Sequence, residues 1–210
     1  MANVEKIDMK HIFGLIRHNE RLVQNPTNAD IDKSKLNDNY FLSPDRGITS
    51  YDYFLKRKSE CYLYGRDDVK VAFSWIVSLP QDVIKGHEDL FFYNVYDFLC
   101  ERYGEENVIS CTVHKDETTP HLHFLALPIV NDPKRGGEKF CMKDVLTRRE
   151  LRNFHPDLQR YLKNNGVSGT VMSGITKRQG GNRTVAELKA NGNKDIAKTR
   201  SRWRDRDVEM

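Results

Sequence analysis

The sequence predicts an α+β fold, with a central, mainly antiparallel sheet and helices packed on one face. Three observations predict it. An apolar run from Val71 to Leu79, stopped by Pro80, has the length and content of a buried strand. Leu90, Phe91, Val95, Phe98 and Leu99 recur at helical spacing in a segment that ends before Gly104, a helix stop. Two more strand-like stretches, Asn107 to His114 and His121 to Val130, are separated by the six residues Lys115 to Pro120, which make a hairpin turn or tight loop.

The remaining elements follow in order. Met9 to Glu20 predicts a short helix. Asn25 to Arg46 is rich in Asn, Asp, Ser and Pro and predicts mostly loop. Ser50 to Lys58 fits a helix, and Phe140 to Val145 fits another short strand. Thr147-Arg148-Arg149-Glu150 is a capping box that opens a helix, and Pro156 predicts a break or a second helix start. That region should end near Gly166, and residues 166–183, with five glycines, predict loop. A second capping box, Thr184-Val185-Ala186-Glu187, predicts a short helix. Residues 1–198 are therefore taken as one domain, and 199–210 as a basic, flexible C-terminal segment.

Composition narrows the class. Of 210 residues, 38% are hydrophobic and 30% charged, as in a polar globular protein. No apolar run approaches the ~20 residues of a membrane span. Met1 to Lys6 carries no signal-peptide core, so the chain is expected to be cytoplasmic. Cys61, Cys100, Cys111 and Cys141 are widely spaced, which predicts buried thiols rather than a disulfide frame or zinc knuckle. The net charge of +4 is unevenly spread. Residues 1–130 hold 15 Lys and Arg against 20 Asp and Glu; residues 131–210 hold 19 against 10. A basic C-terminal third fits a polyanion partner, or simply a solvated basic tail.

The strongest local signal is His114-Lys115-Asp116-Glu117-Thr118-Thr119-Pro120-His121-Leu122-His123. Side chains alternate along a strand, so His121 and His123 share a face. The hairpin returns His114 to the same point. Three imidazoles on one face make a metal site with open positions, suited to a divalent transition ion; Mn²⁺ or Mg²⁺ is the expected cofactor. Asp116 or Glu117 could orient a histidine or take a proton. A closed structural zinc is the competing reading.

At this motif the sequence resembles the HUH endonucleases, and the string His-x-Asp-Glu-x-Thr-Pro-His-x-His is similar to the Pre/Mob (MobV) mobilisation relaxases. His18-Asn19-Glu20-Arg21 matches that family's N-terminal motif. Asn39-Tyr40, Ser50-Tyr51 and the segment Arg183 to Lys189 fall where the family has similar residues. The resemblance implies a metal-dependent relaxase. Such an enzyme nicks one strand at an origin of transfer, stays joined to the 5′ phosphate, and later rejoins the ends. The expected ligand is a DNA hairpin with a single-stranded stretch, and coupling or accessory mobilisation proteins are further expected partners. Carried over by resemblance, the nucleophile is His18, with the metal on His114, His121 and His123 and with Glu117 aiming the attacking ring. Neutral imidazole has a usable lone pair near pH 7.

Rival readings remain at this stage. His18 could be a helix-end histidine held by the dipole. Tyr40, Tyr51 or Tyr53 could be the nucleophile of a rolling-circle replication initiator. A DNA-binding protein with a structural zinc, or a small phosphoesterase, are further alternatives. Arg21, Arg148, Arg149, Arg152, Lys177, Arg178 and Arg183 are the candidate DNA contacts. His11, His87 and His155 lack company and are expected at the surface or at caps.

Overall fold

Strand β3 (Lys70–Ser78) is the organising element, because β1 (Ala2–Asp8) and β5 (His121–Ala126) flank it in antiparallel register. Strand β4 (Val108–His114) pairs with β5, and the two-residue β2 (Tyr40–Phe41) closes the edge, giving the order β1-β3-β5-β4-β2. The computed structural model describes residues 2–23, 28 and 30–172. Lys177, Arg178, Arg183, the expected helix at Thr184 and the segment 199–210 lie outside the described residues.

Alternation in the strands divides the core. Phe73, Trp75, Val77, Cys111, Val113, Leu122 and Phe124 face helices α3 (Glu88–Tyr103) and α5 (Arg148–Asn164). Phe154 of α5 is fully buried and stacks on Trp75, with ring centroids 3.5 Å apart. The helix packing expected on one face is carried by these two helices. A smaller core lies on the opposite face. There Ile12 and Ile16 of α1 (Ile12–Asn19) and Phe54 of α2 (Ser50–Glu60) cover Ala72 and Leu125. That second face carries the histidines.

Several expectations need correction. Phe140 to Val145 is not one strand. Strand β7 (Glu138–Phe140) pairs with β6 (Ile129–Asn131), and Met142–Val145 then forms the short helix α4. Met142 and Leu146, four residues apart, are both buried, which is the helical spacing that a strand reading overlooks. The stretch His121 to Val130 splits at Pro128, which cannot donate to a ladder. Pro156 does not break α5, which runs through it without interruption. Buried Phe154, Leu158 and Leu162 hold the helix on the sheet, while Pro156 itself is exposed. The loop-like stretch Asn25 to Arg46 contains a 3₁₀ turn at Lys33–Asp38 and strand β2. Strand β1 has little signature in the sequence, because Ala2 and Val4 are a weak apolar signal among charges.

The Thr147 cap forms: its hydroxyl accepts from the Glu150 N–H at 3.0 Å. Glu150 does not complete the box, because its carboxylate takes Arg102 and the Tyr103 hydroxyl instead. All four cysteines are free thiols, two of them buried. No helix among the described residues is long and apolar enough to cross a membrane.

The Trp75–Phe154 stack joins α5 to β3. Phe154→Ala should lower unfolding free energy by about 3–5 kcal/mol. Guanidinium titration of both proteins measures the difference.

Candidate active site

The hairpin register builds the site. His114 pairs directly with His121, and His123 lies opposite Thr112, all on the α1–α2 face. The ring centroids of His114 and His123 are 4.6 Å apart, and those of His121 and His123 are 4.8 Å apart. One ligand nitrogen from each of the three lies within 4.8 Å of the other two.

Backbone carbonyls orient two of the rings. His114 Nε2 donates to the Asn19 carbonyl at 2.7 Å, leaving Nδ1 buried without a hydrogen-bond partner. His121 Nδ1 donates to the Thr119 carbonyl at 2.9 Å, leaving Nε2 2.9 Å from His123 Nε2. Two imidazole nitrogens held at that distance must share a proton or an ion. Burial pushes His114 down to about 4 and His123 well below the usual histidine value. The rings of His114 and His123 are therefore neutral near pH 7, the state that ligates a metal. The donor set, the carbonyl-fixed rings and the orphaned Nδ1 all fit a divalent ion. His121 is only part-buried, so the cluster is open on one side.

Helix α1 brings His18 to this point. Ile12, Ile16 and Asn19 form the buried stripe that seats its last turn on the sheet. His18, off that stripe, comes within 6.2 Å of His123 and 6.5 Å of His114, centroid to centroid. Burial first, and then the Arg21 charge, lower its proton affinity. A neutral ring disfavours the dipole-held cation reading and favours an available lone pair.

Arg21 follows α1 in the left-handed region, with φ 54°. Its guanidinium clasps the fully buried Asp116 through two 2.8 Å bonds and Glu117 through a third. The residue expected to meet DNA is thus engaged with two acids, and only Nη1 stays buried without a partner. Glu117, expected to aim His18, accepts from Arg21; its effect on His18 acts through space, favouring the protonated ring.

The loop before β2 braces the same turn. The Asp32 N–H donates to the Asp116 carbonyl at 2.7 Å, and the Lys115 N–H donates to Asn39 Oδ1 at 2.7 Å. Asn19 and Asn39, which brace the histidine hairpin, are absent from the residues that the sequence pattern singles out. The only signal was their position in the two family-like blocks.

The rival tyrosines are placed elsewhere. Tyr40 points to the α3 face, where its hydroxyl donates to Asp89 at 2.7 Å; burial and that carboxylate raise its proton affinity. The Tyr53 hydroxyl donates to the Glu106 carbonyl, and Tyr51 packs against Phe13 and Phe54. Arg148, Arg149 and Arg152 are exposed on α5, which packs on the face opposite the histidines. His11 and His87 sit at the N-caps of α1 and α3, and His155 bonds the Ala2 carbonyl.

A pH dependence follows for the metal-free protein. The unfolded chain protonates His114 near 6.5, whereas the folded chain does so only near 4. Stability from this group is complete above pH 6.5 and is lost as pH falls through that window. Urea unfolding across pH 4–7 should show the decline, and His114→Gln should flatten it.

The comparisons with known proteins agree with this geometry. The model of the plasmid recombination enzyme family, Mob_Pre, matches residues 1–189. A plasmid recombination enzyme of Streptococcus agalactiae is 29% identical over 198 residues, covering 90% of this chain and 38% of that protein. Another, from Lactiplantibacillus plantarum, is 27% identical over 197 residues, covering 90% of this chain and 53% of that protein. The chain thus spans about half the length of these relatives or less. The manganese-bound crystal structure of the MobM relaxase domain with plasmid pMV158 oriT DNA superposes with a TM-score of 0.75. It is 27% identical, and the match covers 91% of this chain and 97% of that one. The chain belongs to the Mob_Pre family of plasmid recombination enzymes.

Proposed function

We propose that the protein is a relaxase: a metal-dependent, strand-specific DNA endonuclease and strand transferase acting at an origin of transfer. The observation that carries this is the neutral His18 ring held 6.2 Å from His123 and 6.5 Å from His114, two of the three converging imidazoles. The manganese-bound, oriT-bound neighbour supports both the metal and the substrate class. Action on plasmid DNA places the protein in the cytoplasm. Coupling or accessory mobilisation proteins are its proposed partners, and the domain extends to residue 198, with 199–210 as a basic tail.

In this reading His114, His121 and His123 hold the ion through ring nitrogens. When bound, a divalent ion polarises the scissile phosphate and steadies charge on the leaving oxygen. His18 supplies the nucleophile. Its ring lone pair forms the N–P bond as the bond from phosphorus to the 3′ oxygen breaks. The proton from the other ring nitrogen balances the departing 3′ alkoxide. The DNA 5′ phosphate is then joined to His18 as a phosphoramidate, and attack by a 3′ hydroxyl reverses the step without ATP. Asn19 and Thr119 fix the tautomers of His114 and His121. Arg21 locks the His18 turn to Asp116 and Glu117, so the nucleophile meets phosphorus with little rotation left to lose. Glu117 tunes His18 by its charge. Arg148, Arg149, Arg152, Lys177, Arg178 and Arg183 contribute salt-dependent backbone binding.

The nucleophile assignment is tested by mass spectrometry of protein trapped on an oligonucleotide carrying a family origin. His18→Ala should remove the adduct and reduce nicking by at least about 10³-fold. Tyr40→Phe should keep nicking within roughly threefold, because that ring lies behind the sheet. An adduct mapped to any tyrosine would overturn the assignment. A chelator should stop nicking while circular dichroism stays native, whereas a structural zinc protein would unfold.

A further inference from the structure

Beside the histidine cluster lies a cavity of ≈ 380 Å³, lined by Glu20, Phe41, Pro44, Arg46, Ile48 and Thr49 among others. Sheet register fixes its place. Phe41 pairs with Thr112, and Thr112 pairs with His123, so the three share one cross-strand row on the same face. Two strand spacings put Phe41 roughly 10 Å from His123. Glu20 follows Asn19, whose carbonyl holds His114.

The lining decides what can enter. Phe41 is 58% exposed on the sheet's edge strand, an uncovered aromatic face next to the site. Arg46 is already committed: its guanidinium lies 4.1 Å over the Tyr53 ring and donates to the Glu105 carbonyl. The Asp45 carboxylate is taken by the Gly47 N–H. The Glu20 carboxylate has no hydrogen bond or ion pair among the described residues. A free acceptor with no free cation repels phosphate and suits a neutral group bearing N–H donors. An aromatic wall with Pro44 and Ile48 suits a flat ring.

We propose that this cavity takes one unpaired nucleobase of the strand flanking the scissile phosphate, stacked on Phe41 and read by Glu20. This deepens the relaxase reading and rests on it. Single-stranded bases are recognised by such stacking and by bonds to their Watson–Crick edge. A carboxylate has two acceptor oxygens and no donor. Guanine fits best, since its N1–H and N2–H₂ lie side by side and can meet both oxygens. Adenine and cytosine present one amino group beside an acceptor nitrogen. Thymine offers a single N3–H, flanked by two carbonyl oxygens that repel the carboxylate. Glu20 is therefore a specificity-determining residue, and it has no part in the chemical step.

The test is selection from a single-stranded DNA pool with eight randomised positions, bound by the full chain in EDTA and sequenced. Wild type should enrich guanine over thymine at least about fivefold at one position. Glu20→Gln should abolish that preference at that position alone, with other enriched positions unchanged. Phe41→Ala should weaken overall binding about tenfold, in line with loss of one stacked base. Both side chains reach solvent, so both variants should fold, which thermal melting checks. Unchanged guanine enrichment in Glu20→Gln, or equal loss at every position, overturns the base pocket and leaves the relaxase reading standing. A wild type that binds no member of the pool overturns the single-strand substrate itself.

Discussion

Burial of three imidazoles against the sheet is the constraint on which the rest of the site depends. A buried ring nitrogen without a partner is costly. The fold meets part of that cost with carbonyls, one from Asn19 at the end of α1 and one from Thr119 in the hairpin turn. What stays unmet is Nδ1 of His114 and Nδ1 of His123, both buried without a hydrogen-bond partner. The cluster is a set of close imidazole nitrogens of the kind that holds a divalent ion, open on the side of the part-buried His121.

The same hydrogen bonds tie the histidine cluster to His18. The Asn19 carbonyl meets His114, and His18 precedes it by one residue, so ring and cluster cannot shift independently. Arg21 adds a second tie, from an uncommon left-handed backbone conformation that costs roughly 1–2 kcal/mol. Its pairing with buried Asp116 and with Glu117 offsets that cost. Strain held by a buried ion pair next to a reacting group is a familiar way to preorganise a site.

The two cores divide the labour. The larger, around Trp75, Phe124 and Phe154, supplies most of the apolar burial. The smaller core seats α1, α2 and the β6–β7 pair and leaves polar space for the histidines on the same face. Stability and chemistry thus sit on opposite faces of one sheet. The position of Tyr40 follows from that alternation. It lies next to Phe41, yet its ring belongs to the other face.

The sequence by itself determined the local geometry. Strand alternation placed His121 and His123 on one face, and the short turn brought back His114. The apolar runs gave β3 and α3, because local period carries that information. Family-like blocks pointed to His18. Tertiary structure decided what local pattern cannot encode. It set which face α1 would cover, that Arg21 would be spent on Asp116 and Glu117, and that Arg148, Arg149 and Arg152 would lie behind the sheet. It also let α5 pass through Pro156 and turned the chain at Cys141 into α4. In each case the deciding term was burial against a distant strand, or an ion pair across about 95 residues of sequence, and no window of neighbouring residues contains either.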